Sequence, residues 1–353
     1  MMSSFSSNAI LAKSRAMYGR RLTQQNYTDL LGCRSVGEVA AYLKTRTAYS
    51  DILEGVAALT IHRGRLEELL KKRLFLQYAS LCRYEMSIGQ DFYQYFVIKN
   101  DITQILNCVR LLNSGRSGEY IFSMPAFFNE HTGLDLFKLA GVTSFSGLLD
   151  ALTGTAYQQV LAPFQQLRLT SRSILDIEAA LYKFFYTRLW QLANKDFKGK
   201  RLQGLLDVLR IQVDMRAIDN LYRLKKMIQA DEPLLRQFII PEISNFTEKQ
   251  ISMLINAPTA EEMLKSLEQT PYAAQLKTIH YEYVEVATQK ILFNWSKKYF
   301  RFSTDPTVVM FCYIYLAENE IDNITHVVEG VRYEVPADRI KAMLIGEAGV
   351  QTS

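Results

Sequence analysis

Three times along this chain a Ser or Thr is followed by apolar residues four and eight positions on: Ser35 with Val39 and Leu43, Ser144 with Leu148 and Leu152, Thr259 with Met263 and Leu267. Residues so spaced fall on one face of a helix. The hydroxyl that opens it can accept from the first free backbone N–H groups. Glu38 and Glu262, three residues on, complete a predicted capping box in two of the three. Each pattern runs into a tight turn, Thr47-Ala-Tyr49, Thr155-Ala-Tyr157 and Thr270-Pro-Tyr272. The tyrosine is expected to plug the end of the short helix against the next one.

A second pattern is an acid followed by an apolar residue that recurs three and six positions later: Asp101 with Ile102, Ile105 and Cys108, Asp214 with Met215, Ile218 and Leu221, Glu320 with Ile321, Ile324 and Val327. It too predicts one apolar side of a helix. The first pattern recurs at spacings of 109 and 115 residues, the second at 113 and 106, and the offsets from first to second are 66, 70 and 61. The residues are common ones, so these offsets carry the conclusion that the chain holds three diverged copies of one unit. Between the two patterns each copy has an aromatic-rich helical stretch, Leu66 to Tyr84, Ile177 to Ala193 and Tyr281 to Phe300, apolar over a wide face as a helix sandwiched between neighbours is.

The fold class expected is therefore all-α, with each unit a bundle of about four helices joined by short loops. Turn residues cluster at Asn113 to Gly118, and a further break falls near Lys225 to Pro233. They divide the chain into 1–115, 116–228 and 229–353. Gly199 to Arg201 reads as a loop inside the second unit.

Composition supports this picture. With 353 residues, 48% of them hydrophobic, the chain has apolar material for two to three domains, and its 8 Pro and 17 Gly leave long breaker-free stretches. The net charge of +5 comes from 41 basic and 36 acidic residues interspersed along the chain. No Lys/Arg block is dense enough to track a phosphate backbone, which argues against a nucleic-acid partner. The opening Met-Met-Ser-Ser-Phe-Ser-Ser-Asn has neither the charged nor the apolar part of a secretory signal, and the longest apolar run, Val308 to Ala317, is about half of what spans a bilayer. A protein neither exported nor inserted in a membrane is expected.

Cys33, Cys82, Cys108 and Cys312 lie far apart and read as buried thiols of a reducing compartment, and no CxxC pair exists. His62, His131, His280 and His326 are equally scattered, so zinc-ligand spacing is missing and no metal is expected. His131 reads as solvated surface, His326 as a satisfied helical histidine. Phosphate-cradling glycine loops, the GxSxG elbow and HExxH are missing too, so no cofactor and no catalytic residue is expected. The chain is read as one that holds other proteins. An all-α enzyme using Asp and Glu pairs with a metal is the rival from another class.

The acids Asp101, Asp214 and Glu320 admit two readings. In one, each belongs to ordinary helix electrostatics, an acid near the start of a helix segment or paired with a base on the following turns such as Arg110 or Arg223; the third copy has Glu329 at that position. In the other, the three line a common surface facing a central ligand.

The chain resembles a known family, the C subunits of bacterial and archaeal V-type/A-type ATPases, which are the counterparts of the d subunit of eukaryotic V-ATPases. The residues that carry the resemblance are the opening Ala12 to Leu43, the run Phe92-Tyr-Gln-Tyr-Phe-Val-Ile-Lys-Asn-Asp101-Ile, and most specifically Ala317-Glu-Asn-Glu320-Ile-Asp-Asn323-Ile324 followed by Pro336-Ala-Asp-Arg339-Ile340. The resemblance implies a funnel of three similar helical domains with pseudo-threefold symmetry. Such a body is peripheral on the cytoplasmic face of the cell membrane, seated on the membrane rotor ring and receiving the foot of the central shaft. It implies torque transmission without an active site, for proton or sodium transport, with mostly polar partner contacts spread over the three units. Asp101, Asp214, Glu320 and Asn323 are the partner-binding candidates. The alternative is a helical-repeat scaffold of an unrelated complex.

Overall fold

A computed structural model describes residues 2–83, 92–277 and 283–349. Among these all regular structure is helical, with no strand, so the fold is all-α. By its packing the chain divides into two units, one built from Met1–Gln90, Lys198–Asp219 and Leu267–Ser353, the other from Asp91–Phe197 and Asn220–Ser266.

In the first unit the central element is the helix Pro306–Arg332, which Asp305 caps by accepting from the N–H groups of Thr307 and Val308. The apolar run read from the sequence lies in it, and Val308 through Ile314 are all buried. It packs against Val284–Phe302, Met2–Gly19, Arg63–Cys82 and Val36–Arg46. A helix covered on several sides needs apolar residues around most of its circumference, which is why this run is continuous. No helix among the described residues is long and apolar enough to cross a membrane.

In the second unit Tyr95–Asn113 packs on Ser171–Asp196, which also meets Ala156–Leu161 and Glu232–Gln237. The helix ends at Asn113 with Ser114 as its cap, and Gly115 follows with a φ of +69° that suits a residue without Cβ. The turn expected at 113–118 is thus present.

The short helices form where the hydroxyl caps predict them. Ser35 accepts from the Glu38 N–H at 3.1 Å, Ser144 from Gly147 at 3.1 Å and Thr259 from Glu262 at 3.1 Å. The expected capping boxes are only half made. Glu38 reaches past the cap residue to accept from the Arg34 N–H at 2.8 Å, because the entering chain presents that amide instead. The aromatic-rich helices run Arg63–Cys82, Ser171–Asp196 and Val284–Phe302. Tyr84, His280 and Tyr281 lie outside the described residues.

Gly199 to Arg201 is not a loop. The helix Gly199–Ile228 starts there, with Gly199 at φ +59°, so only Phe197 and Lys198 connect it to the preceding helix. Cys82, Cys108 and Cys312 are buried free thiols, whereas Cys33 is half-buried in the turn after Gln24–Leu31. His326 departs from expectation as well: among the described residues its buried Nδ1 has no hydrogen-bond partner, and burial lowers its pKa.

Gly37 is the closest packing point of the 36–46 helix. A Cβ there would stand 2.2 Å from the Leu59 carbonyl oxygen and 2.7 Å from its carbon, both backbone atoms that cannot swing aside. Gly37→Ala is therefore expected to destabilise by about 1–3 kcal/mol, through the overpacking rather than the helix propensity it gains. A urea midpoint equal to that of the parent would show that the 58–60 turn yields without strain.

Candidate functional site

Each Thr-x-Tyr turn is locked in the same way. The hydroxyl of Thr47 donates to the Leu43 carbonyl at 2.6 Å, that of Thr155 to Leu152 at 2.7 Å and that of Thr270 to Leu267 at 2.6 Å. The acceptor is each time the apolar residue eight positions after the hydroxyl cap, near the end of the short helix; the carbonyls of Leu152 and Leu267 also accept the backbone N–H of Thr155 at 3.0 Å and of Thr270 at 3.1 Å. With the turn fixed, the tyrosine two residues on is aimed inward: Tyr49, Tyr157 and Tyr272 are all buried.

What these tyrosines meet are the repeated acids. Tyr157 donates its phenol proton to Asp101 Oδ2 at 2.9 Å, and the Thr132 hydroxyl donates to the other oxygen. Tyr272 donates to Asp214 Oδ2 at 2.5 Å. Tyr49 donates to Glu320 Oε1 at 2.8 Å, while the Leu22 N–H donates to Oε2 at 2.8 Å. The order is cyclic: each acid holds the tyrosine of the following copy, and the last acid holds the tyrosine of the first. Every clasp ties a carboxyl on a long helix to a short helix from elsewhere in the chain, and the last one joins the beginning of the chain to its end.

Burial dominates the electrostatics of the clasps. It raises the Asp101 carboxyl to about 6, against the hydrogen bonds from Thr132 and Tyr157, which lower it. It raises Glu320 too, opposed by Tyr49, the Leu22 amide and the charges of Arg73 and Arg21. Asp101 is 3% exposed and Asp214 0%, whereas Glu320 is half-buried and faces a pocket.

Neither sequence reading of the acids describes this arrangement. Arg110 lies 3.1 Å from Glu178 and Arg223 4.0 Å from the same Glu178, which leaves the repeated acids to their tyrosines. In the third copy Glu329 pairs with Arg63, so the missing arginine is an ion pair with its charges exchanged. The carboxyls of Asp101 and Asp214 point into their own unit rather than onto an open surface. Asn323 is buried as well: its amide donates to the Ile345 carbonyl at 2.8 Å and accepts from the Ile345 N–H at 2.9 Å, pinning the last described segment to the 306–332 helix. Among the described residues no three His, Cys, Asp or Glu side chains gather as a metal site requires.

The three repeated acids of this all-α chain are thus each engaged by a tyrosine hydroxyl from another part of the chain. Residues 10–343 match the model of the ATP synthase (C/AC39) subunit family, and the chain belongs to that family. It is similar to the C subunit of the A-type ATP synthase of Archaeoglobus fulgidus, 24% identical over 341 residues that cover 95% of this chain and 95% of that protein. The protein of the same name in Pyrococcus abyssi is 25% identical over 350 residues, 95% of this chain and 89% of its own length. That of Methanococcoides burtonii is 24% identical over 343 residues, 95% and 93%.

Proposed function

We propose that this chain is a non-catalytic rotor subunit in the central stalk of a rotary ATPase or ATP synthase. In this role it joins the shaft of the soluble sector to the membrane rotor ring and passes torque between ATP chemistry and proton or sodium movement. The observation that carries the reading is the family match over residues 10–343, together with relatives that align along nearly the full length of both chains. The proposal includes a three-domain funnel over 1–115, 116–228 and 229–353, seated on the inner face of the membrane.

A body that transmits torque must not shear between its repeats. The cyclic clasps serve that need, since each links one copy to the next and the last links the ends of the chain. In this reading Asp101, Asp214, Glu320 and Asn323 bear on partner binding by holding the partner-facing surfaces in place, not by touching the partner.

The test is affinity capture of the tagged full chain from detergent-solubilised native membranes. Ring and shaft proteins are expected to co-purify, and their absence from a capture that recovers other partners overturns the assignment in favour of an unrelated scaffold. Full chain carrying Asp101→Ala, Asp214→Ala and Glu320→Ala together, which leaves the three tyrosines without these acceptors, is expected to capture shaft proteins at least tenfold more weakly. Capture equal to that of the parent would confine these acids to local stability.

A further inference from the structure

The third clasp differs from the other two in having free space beside it. Tyr49 and Glu320 line a cavity of about 40 Å³ that opens to solvent in the first unit, together with Arg20, Arg21, Arg73 and Asn319. A water needs roughly 10–15 Å³ on this measure, so the space holds about three waters, or one small polar head group; a nucleotide does not fit.

Two observations point to what that head group is. Asn319 is 5% exposed, lines the cavity, and makes no hydrogen bond with any described residue. The amide is not sealed off from solvent, so the contents of the open pocket are what satisfy it. The contrast with the first copy is direct, because Asn100, the residue before Asp101, donates to the Phe96 carbonyl at 2.8 Å on its own helix. In the second copy the position before Asp214 is Val213. Only the third copy therefore has an unengaged amide beside its acid.

The second observation is charge. Three guanidinium groups, those of Arg20, Arg21 and Arg73, line the cavity, against the carboxyl of Glu320 and that of Asp51, which Arg73 binds at 2.8 Å. One positive charge is left over, and Arg20, exposed at the rim, has no ion pair among the described residues. Arg73 is held above the Tyr49 ring at 4.4 Å and Arg21 above Tyr18 at 4.3 Å, so both stay where they are and Arg20 is the one left to meet a guest.

We propose that this pocket binds a single carboxylate head, on a small free acid or on an acidic side chain of a partner peptide, with Asn319 donating to it and Arg20 meeting its charge. A carboxylate is planar, small enough for the space, and accepts from an amide N–H and a guanidinium at once. The site is separate from the torque-transmitting role and stands or falls without it.

The experiment is saturation-transfer difference NMR of acetate with the purified full chain. A saturable acetate signal is expected. It should weaken at least fivefold in Asn319→Leu, which keeps the volume while removing the amide, and in Arg20→Ala, whose rim position leaves the core untouched. Both variants are checked by thermal melts followed by circular dichroism, and Arg20→Ala decides if Asn319→Leu does not fold. Equal acetate signals in parent and folded variants overturn the proposal, as does equal displacement by chloride at matched ionic strength, which would make the site a general anion trap. A capped pentapeptide with one central glutamate, compared with its glutamine twin, separates the sources. Displacement of acetate by the glutamate peptide alone assigns a partner's side chain, and displacement by neither peptide assigns a small free acid.

Discussion

Asp214→Ala is expected to lower the free energy of unfolding by about 2–3 kcal/mol, the upper part of the range for removing one partner of a buried hydrogen bond. Asp214 is 0% exposed and Tyr272 3%, and the bond between them is 2.5 Å long. Tyr272 is aimed by a turn that Thr270 fixes through the Leu267 carbonyl, so the phenol cannot follow a retreating acceptor into solvent. Removing the carboxyl takes away the group that offsets the phenol's desolvation. Tyr272→Phe takes away the phenol instead and leaves the buried carboxyl short of a donor. The two changes are therefore expected to be strongly non-additive, with a coupling of roughly 1–3 kcal/mol in a double-mutant cycle from urea titrations. An exposed ion pair sets the scale: removal of Arg116, on the surface beside Glu119, should leave stability almost unchanged. Additive effects of Asp214→Ala and Tyr272→Phe would mean that the clasp is a contact without mechanical weight.

Both halves of that clasp are visible in the sequence, yet the bond between them is not. The hydroxyl caps, the Thr-x-Tyr turns and the acid-led apolar stripes are local patterns, and each appears in the structure within a few residues of where periodicity puts it. The clasps join residues 56, 58 and 271 positions apart. Periodicity tells which side of a helix is covered and is silent about which helix covers it. On sequence alone, an acid beside an apolar stripe therefore pairs with the nearest bases on its own helix, Arg110 and Arg223. The structure instead sends those arginines to Glu178, which sits on a different helix. The exchanged pair Arg63–Glu329 is hidden for the same reason, since comparing copies along one helix shows a lost arginine but not the arginine gained on its neighbour. Gly199-Lys-Arg201 resembles a loop by composition, a glycine followed by two bases. Its left-handed glycine is what lets a helix begin with only two residues between it and the previous one. Asn319 carries no signal at all: an asparagine inside a helix ordinarily bonds back to its own turn, as Asn100 does, and only the packed structure shows that this one does not.

The first clasp carries the other large expected effect, and it depends on pH. Burial holds the Asp101 carboxyl at about 6 in the folded chain, above its ordinary 3.8. The folded state therefore binds this proton more tightly than the unfolded state does. Its contribution to stability is fully present below the unfolded value and is lost as pH rises through the folded one. A shift of that size corresponds to about 3 kcal/mol, spread between roughly pH 4 and pH 7. Asp101→Asn removes the titration and keeps a carbonyl oxygen that can accept from Tyr157 or Thr132. The difference in unfolding free energy, parent minus Asp101→Asn, is expected to fall by about 3 kcal/mol across that window and to stay level above pH 7. Urea titrations of both proteins at half-unit steps measure it directly, since every other titrating group cancels in the difference. A difference that stays constant from pH 4 to pH 7 would show that Thr132 and Tyr157 hold the carboxylate as well as water does, and that the first clasp is insensitive to its proton.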